Sequence, residues 1–451
     1  MQLKTSRILH AGYLFEYENT TFAFDPIFEN PFSKNCYAFP NVEFDIDSIS
    51  QLKLDAIFIS HYHDDHFSLE SLNFLNKDIP IYIFSVFAEL LDLLRELGFK
   101  KVYALEPFRP VYVGPFEILP LEALDKDVDS IFHIKVANLN ILHVVDSWIG
   151  PLTMERLLMT LQWDLLLWPM QTMRELEVIA PTLAEPVTQQ TYQLPPEWIE
   201  QIQQLEPRTI IASSCQFRFE EWSWYNQVFF PISYAQFKRQ IQEAAPSTQV
   251  LTLNPGESLL WDTVNFQKGE RLSWIKPLGT QDVDYEFNPS ILPQSSAEIS
   301  AQLPSLNQTQ RDLVHTFCQK HILERFKQLS PLEDSFFTNP QGWLLTLYDH
   351  QGAAYHYHYK IAADQIELTS PENSWIWMTE ISEVKLFGAL YEGESLTSIY
   401  IRVTPPQNAD PLEDPLIRCL YEGVLGGYQQ AQLEKIKKHE ETNLRTNFCK
   451  S

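Results

Sequence analysis

The stretch that decides the fold is LDAIFISHYHDDHF, residues 54–67. Its first half, residues 54–60, is a compact apolar run of the length expected for a buried strand. Its second half places His61, His63, Asp65 and His66 within six residues. A chance surface cluster of this density, directly after a buried strand, is the weaker interpretation. The segment therefore predicts a metal site at the end of a strand.

The spacing of these four residues predicts how they divide between ions. His61 and His63 are two residues apart in an extended strand end, so their rings point to the same side. Asp65 and His66 follow in the turn, from which they can reach a second position about 3.5–4 Å away. We expect one or two divalent ions, with zinc preferred and iron or manganese as alternatives.

Around this segment the chain alternates short apolar strands with helices, which predicts a layered α/β structure. The segment 13–25 indicates a hairpin at the start, and the layered pattern continues to about residue 265. The segment 266–308 is interpreted as a linker or crossing, because much of it is rich in Pro, Ser, Asn and Gln. Residues 309–451 are predicted to form a smaller α+β domain of unassigned role.

Composition excludes several classes of partner. The 451 residues include 33 Lys and Arg against 59 Asp and Glu, a formal net charge of -26 that disfavours nucleic acid and anionic membranes. No apolar run has the length of a signal peptide or a membrane span. The five cysteines are scattered, which suits reduced thiols. We expect a soluble, cytoplasmic protein, with a homodimer as an open alternative.

The motif HYHDDH resembles the HxHxDH metal motif of the metallo-β-lactamase superfamily, and its surroundings match too. The turn AFDP at 23–26 follows the opening hairpin, and LDAIFIS precedes the motif. The strand ILHVVDS at 141–147 ends where the superfamily has a metal-bridging aspartate, which implies that role for Asp146. The resemblance implies an αββα sandwich over residues 1–265.

Within the superfamily, the chain is most similar to one branch. This branch of the superfamily contains phospholipase-D-type phosphodiesterases, lactonases and the β-lactamase-like region of CMP-N-acetylneuraminate hydroxylase. The shared stretches are DIPIYIF (78–84), EPF (106–108), DVDS (127–130), EPRTIIAS (206–213) and LTLNPGESL (251–259). No Rieske motif occurs in this sequence, so the hydroxylation of the last relative does not carry over.

The sequence departs from the superfamily pattern at the third histidine ligand. The resemblance places that ligand at Asp125, with Asp127, Glu122 and His133 as alternatives. A carboxylate at that position would add a hard oxygen ligand to the first site, which would favour iron or manganese. Because His133 lies inside a predicted strand, we interpret it as a histidine on a sheet face.

A second departure concerns the last histidine of the pattern. The late strand TIIA runs into Ser213, Ser214 and Cys215, so no histidine is available there. The resemblance then leaves Asp65, His66 and Asp146 for a second metal, with Cys215 as a remote alternative to a buried thiol.

Two further histidine features are interpreted as structural. His10, in ILHAGYLFEY, is taken as a structural histidine, with an indirect role near the site as the alternative. His356 and His358, in YHYHY, form a second HxH pair, but no Asp-His follows, and alternation with tyrosine is typical of one strand face.

These features predict a metal-dependent hydrolase that acts on a phosphodiester, ester or lactone bond of a small or lipid-like molecule. The metal would lower the pKa of bound water and supply hydroxide, and Asp65 would bind the second metal or act on that water as the catalytic carboxylate. A di-iron oxygenase on the same fold is the first alternative, because such oxygenases also carry a carboxylate at the third position. A non-catalytic or degenerate metal-binding module is the second.

Overall fold

The structure is a computed structural model that describes residues 2–182, 192–261, 266–331, 335–370, 375–422 and 427–448. The chain separates into two compact units. The first comprises the described residues of Met1–Met173, Thr191–Glu220 and Phe230–Phe287, and the second those of Arg174–Gln190, Glu221–Phe229 and Asn288–Ser451. The predicted boundary at residue 265 and the predicted end at 451 lie outside the described residues, and the three predicted segments stay predictions.

The first unit contains an eight-stranded sheet that includes the predicted opening hairpin. The five strands from one edge pair antiparallel, and the remaining three strands continue the sheet in parallel. In spatial order the strands are Phe266–Lys268, Ser258–Trp261, Leu3–Arg7, Tyr13–Tyr17, Thr20–Phe24, Ala56–Ile59, Ile81–Ile83 and Val102–Ala104.

A seven-stranded sheet forms the second layer of this unit. Its first four strands are parallel to one another, and the other three are antiparallel. In spatial order they are Gln249–Thr252, Thr209–Ser213, Leu165–Pro169, Leu139–His143, Ser130–Val136, Phe116–Glu122 and Val111–Val113. Two further pairs are Tyr37–Ala38 with Phe217–Arg218 and Val42–Phe44 with Ile275–Pro277.

The two sheets pack face to face through phenylalanine rings. Phe24 of the first sheet lies 4.6 Å from Phe132 of the second, and Phe22 lies 4.8 Å from Phe116, measured between ring centroids. Side chains alternate between the two faces of a strand, so other residues of these sheets, such as Ile57 and Ile210, point away from the facing sheet. Both are nevertheless fully buried. Helical crossovers between parallel strands supply that outer cover.

The helices of the first unit are short. They are Ile46–Ile49, Leu69–Asn73, Ala88–Glu96, Pro151–Leu157, Pro196–Leu205 and Tyr234–Ala244. Three of them begin with a side-chain cap, from Asp45, Ser68 and Ser233, each of which accepts a backbone N–H three residues on. Helix, sheet, sheet and helix layers confirm the predicted αββα sandwich.

The second unit has an α+β organisation around its own buried core. Its five-stranded sheet has the spatial order Gln365–Leu368, Ala354–Ala362, Gln341–Tyr348, Trp377–Ser382 and Arg402–Thr404. Its helices are Glu175–Ile179, Tyr225–Val228, Ser296–Gln302, Gln308–Thr316, Ile322–Phe326, Glu383–Tyr391, Pro415–Tyr421 and Gly427–Phe448, with a π-helical turn at Phe317–His321.

None of the helices in the described part of the chain combines the length and apolar character needed to cross a bilayer. The cytoplasmic location and the homodimer stay predictions.

Candidate metal centre

The predicted motif lies at one edge of the sandwich, where strand ends from both sheets meet. Strands Leu3–Arg7, Thr20–Phe24 and Ala56–Ile59 run in the same direction and end at this edge. In the facing sheet, Leu139–His143 ends and Ser130–Val136 begins near the same edge. Loops at these ends carry polar side chains that a sheet interior would exclude, so they can converge without disturbing the core.

The first donor group consists of His61, His63 and Asp129. The Nε2 atom of His61 lies 2.9 Å from Nδ1 of His63 and 3.8 Å from Oδ1 of Asp129. His63 is placed by the tight turn after it, in which its carbonyl accepts the backbone N–H groups of His66 and Phe67.

The second donor group consists of His10, Asp65, His66 and Asp146. The Nε2 atom of His66 lies 3.1 Å from Oδ2 of Asp146 and 3.7 Å from Oδ1 of Asp65. The Nε2 atom of His10 lies 3.2 Å from both His66 Nε2 and Asp65 Oδ2. Four side chains from three separate loops therefore present nitrogen and oxygen atoms to one point.

Asp146 faces both groups, one carboxylate oxygen toward each. Its Oδ1 lies 4.0 Å from Nε2 of His61, and its Oδ2 is the atom next to His66. A carboxylate in this position can bridge two ions, which is the role that the family resemblance implies for Asp146. Each ion would then have two imidazoles, one carboxylate of its own and one shared carboxylate.

Asp25 and Ser60 fix the orientation of two of the imidazoles. Ser60 donates its backbone N–H and its hydroxyl to the Asp25 carboxylate, both at 2.7 Å. Asp25 Oδ2 also accepts from Nδ1 of His66 at 2.9 Å, while Nδ1 of His61 lies 3.0 Å from the Ser60 hydroxyl oxygen. Because Nδ1 of each ring is engaged here, each Nε2 is turned toward the donor groups.

The electrostatics of the cluster separate the histidines into two kinds. Burial, followed by the charge of His66, lowers the pKa of His61 to about 4. Desolvation of the ring within the cluster, followed by the charge of His61, lowers the pKa of His63, although part of this side chain is exposed. Burial alone would lower the pKa of His66 too, but the charges of Asp146 and Asp65 raise it well above 6.5. Burial and then Asp146 raise the pKa of Asp129 to about 6.

The residues present fit a pair of divalent ions. The Oδ1 atom of Asp146 is buried and has no hydrogen-bond partner among the described residues. A buried carboxylate oxygen without a donor costs free energy unless a cation compensates it. Imidazole and carboxylate together suit zinc, iron and manganese, so the donor set agrees with the predicted ions without choosing between them.

The structure brings together five of the six predicted ligands, His61, His63, Asp65, His66 and Asp146, but it does not bring Asp125 to them. Asp125 is exposed, and its carbonyl accepts the backbone N–H groups of Val128 and Asp129. It therefore begins the turn that delivers Asp129 to the sheet edge. Asp129 precedes the strand Ser130–Val136 directly, and that position explains why its carboxylate, and not that of Asp125, reaches His61.

Asp127, Glu122 and His133 also lie outside the two donor groups. Asp127 is exposed, and Glu122 ends the strand Phe116–Glu122. His133 is buried on a sheet face, where its Nε2 lies 3.0 Å from Oδ1 of Asn140 and its ring lies 4.5 Å from that of Trp163. His133 thus has the structural position expected from the sequence.

His10 occupies the second donor group, for which the sequence pattern offers no further histidine. Its direct approach to Asp65 and His66 replaces the interpretation of His10 as a structural histidine. Cys215 is not in either group. It is a buried thiol whose Sγ contacts the Gln171 carbonyl at 3.7 Å, and burial raises its pKa to about 12. A signal for His10 does exist in the sequence, since it follows the end of a strand next to the hairpin.

Comparison with known proteins finds similarity among solved structures. No protein-family model and no curated protein matches the chain. Igni18, a metallo hydrolase from the archaeon Ignicoccus hospitalis, is 19% identical, with a TM-score of 0.40, over 58% of this chain and 99% of that one. A possible metal-dependent hydrolase from Veillonella parvula is 15% identical, with a TM-score of 0.41, over 57% and 99%. CmlA, a diiron beta-hydroxylase from Streptomyces venezuelae, is 19% identical, with a TM-score of 0.40, over 58% and 53%.

The fold itself follows from this chain's own strands. Two facing sheets with parallel and antiparallel halves, helical crossovers on the outside, and an HxHxDH turn at the strand ends are all present. Together they show that the first unit has the metallo-β-lactamase fold.

Proposed function

We propose that the first unit is a metal-dependent hydrolase with a two-ion centre. The observation that carries the proposal is the pair of donor groups that share Asp146, each with two imidazoles and its own carboxylate. Ions bound there would supply a nucleophile from water at neutral pH and would stabilise negative charge that develops on the substrate. We infer His61, His63 and Asp129 as ligands of one ion, and His10, Asp65 and His66 as ligands of the other.

The exposure of the donors indicates the side from which a substrate approaches. The side chains of His10 and His66 are fully buried, whereas those of Asp65, Asp129 and Asp146 are 21%, 20% and 17% exposed. The imidazoles of His10, His61 and His66 thus form the floor of the centre, whereas His63 and the carboxylates lie on its open side. Asp65 lies where it can orient water for attack and accept its proton, which supports the catalytic role predicted for it.

The carboxylate-rich donor set favours substrates of low charge. Three carboxylates cancel most of the charge of two divalent ions, which makes the centre a weaker trap for anions than one with more histidines. The acidic chain as a whole also repels polyanions. We therefore propose an ester or lactone of a small or lipid-like molecule ahead of a phosphodiester.

A di-iron oxygenase is the second candidate, and one observation favours it. Asp129 supplies a carboxylate to the group that holds His61 and His63, so both groups contain hard oxygen donors. A donor set that contains carboxylate oxygens suits iron and manganese better than a donor set of nitrogen and sulfur alone does.

Metal analysis followed by activity assays tests the proposal. Protein purified without a chelating tag would be analysed for bound metal, then assayed on p-nitrophenyl acetate, a simple lactone and bis-p-nitrophenyl phosphate. Two ions per chain and ester or lactone hydrolysis that is lost in His63→Ala would support the hydrolase. Two irons with visible absorption that changes on exposure to oxygen, without hydrolysis, would favour the oxygenase. Failure to bind metal after reconstitution would refute both and leave a non-catalytic module.

A further inference from the structure

Arg7 is a fully buried arginine next to the second donor group. Within the described residues, all five of its side-chain hydrogen bonds go to backbone carbonyl oxygens. Nε and Nη2 both donate to His10 O, at 3.0 and 2.5 Å. The remaining acceptors belong to Ala212 at 2.7 Å, Leu253 at 3.3 Å and Ser214 at 3.4 Å. A guanidinium always carries its charge, so burying it with carbonyl partners alone requires that each contact be well made.

Two of the four carbonyls that Arg7 contacts, those of His10 and Ser214, belong to strained parts of the backbone. His10 has a φ of 51°, and Ser214 and Cys215, at the end of strand Thr209–Ser213, have φ values of 54° and 50°. Residues other than glycine rarely adopt this left-handed region, so surrounding contacts must impose it. Arg7 contacts the carbonyls of both His10 and Ser214. It therefore joins the loop of His10 to the loop at residues 213–215, where the superfamily pattern has a histidine and this chain has none.

We propose that Arg7 is a positioning residue for the second donor group, and that it holds the His10 imidazole where an ion can use it. This inference rests on the two-ion centre proposed above. Two donors on one carbonyl oxygen fix both the position and the direction of the His10 peptide, which a single donor would leave free to rotate. The anchor matters because His10 Nε2 must stay within reach of Asp65 and His66, both 3.2 Å away at their nearest atoms.

The opposite end of the same loop is fixed by close packing at Gly12. A Cβ atom on Gly12 would lie 2.6 Å from the Asp25 carbonyl oxygen and 2.9 Å from that of Leu9. The backbone N–H of Gly12 also donates to Leu9 O at 2.7 Å. The loop that carries His10 is therefore held at both ends, by the Arg7 side chain and by the absence of a side chain at Gly12.

The test is stepwise titration of chelator-treated full-length protein with Co²⁺, followed by visible absorption, for wild type, Arg7→Lys, His10→Ala and the double variant. Lysine keeps the charge but cannot donate twice to one carbonyl and also reach the other loop. We expect Arg7→Lys to bind the first ion with unchanged affinity and the second at least tenfold more weakly, with an altered second-step spectrum. The double variant should lose no more second-ion affinity than His10→Ala alone, because both changes act through one side chain.

Val250→Ala is the matched control, since Val250 is buried in the strand Gln249–Thr252 that leads to Leu253. It should lower the melting temperature and leave both titration steps unchanged. If Arg7→Lys does not fold, Gly12→Ala displaces the same loop and should show the same selective loss. The inference about Arg7 would be overturned, and the proposed centre left standing, if folded Arg7→Lys bound both ions as wild type does. The same holds if the losses of second-ion affinity from the two single variants add in the double variant. A wild-type protein that binds fewer than two ions would instead refute the proposed centre.

Discussion

Replacing Asp129 by Asn, with Asp125→Asn as its partner, tests the assignment of the third ligand in the first donor group. Asp129 Oδ1 lies 3.8 Å from His61 Nε2, whereas Asp125 is exposed and belongs to neither donor group. Asp129→Asn removes the carboxylate that we propose for the first ion alone. We expect the affinity for that ion to fall about 100-fold, which corresponds to about 2.7 kcal/mol.

The same loss has a consequence for thermal stability that can be measured independently. An ion that binds the folded chain stabilises it in proportion to the logarithm of its affinity, so at saturating metal the variant loses about 2.7 kcal/mol of that stabilisation. For a unit of this size the melting temperature in metal should fall by roughly 5–10 °C relative to wild type. In chelator the difference should vanish or reverse, because Asn also removes one of three neighbouring carboxylates.

Isothermal titration with Zn²⁺ and melting curves with and without metal provide the assay. Asp125→Asn should behave as wild type in both, apart from a small change in the turn. If Asp125→Asn loses the ion and Asp129→Asn keeps it, the placement of the loop that leads to strand Ser130–Val136 is wrong. If both variants keep it, the first ion does not use a carboxylate from this loop.

Three further predictions concern groups around the centre and away from it. Asp25→Asn should weaken binding of the second ion by about 10- to 100-fold in the same titration, because Asp25 orients His66, and unchanged affinity would mean that this contact does not position the ring. His63→Ala should remove the first ion, whereas His356→Ala, on a strand of the second unit, should leave metal content measured by mass spectrometry unaltered; equal losses would place the metal elsewhere. Burial lowers the pKa of His133 to about 4, so the unfolded chain gains a proton below about pH 6.5 before the folded chain does, and stability falls as the pH drops. In denaturant titrations, the free energy of unfolding of His133→Gln should fall by about 1 kcal/mol less than that of wild type between pH 7.5 and pH 5.5. Equal decreases in the two proteins would show that His133 does not titrate as described.

The sequence is sufficient to predict the parts of the centre that are local in the chain. HYHDDH lies in one turn after one strand, so strand alternation and turn geometry decide where its side chains point. Asp146 is placed only by the resemblance to the superfamily, whose strand before the bridging aspartate corresponds to ILHVVDS, whereas the side chains of HYHDDH follow from local geometry. The opening hairpin and the layered fold are predictable from the local sequence too, since each depends on short-range patterns of apolar residues.

Asp129 and His10 are harder to predict because their roles depend on contacts between distant segments. The stretch LEALDKDVDS contains three aspartates, and which one reaches the edge depends on where its turn ends. The decisive feature is that Asp129 immediately precedes a strand, whereas Asp125 lies four residues farther out. His10 follows the end of a strand, which is a weak signal, but it reaches the centre through a left-handed backbone that no propensity favours, so its place among the donors is evident only in the packed structure.

The division of donors between the two sheets has a mechanical consequence for the proposed function. His10, His61, His63, Asp65 and His66 follow strands of the first sheet, whereas Asp129 and Asp146 adjoin strands of the second. Each ion would therefore bind both sheets at once, and its affinity depends on their separation, which the Phe24 and Phe132 rings fix at the core. Because packed cores resist small displacements, the spacing of the donors is set by the sandwich before any ion binds. The open side of the centre, lined by the carboxylates and His63, is then free to vary with the substrate, while the buried imidazoles of His10, His61 and His66 remain fixed.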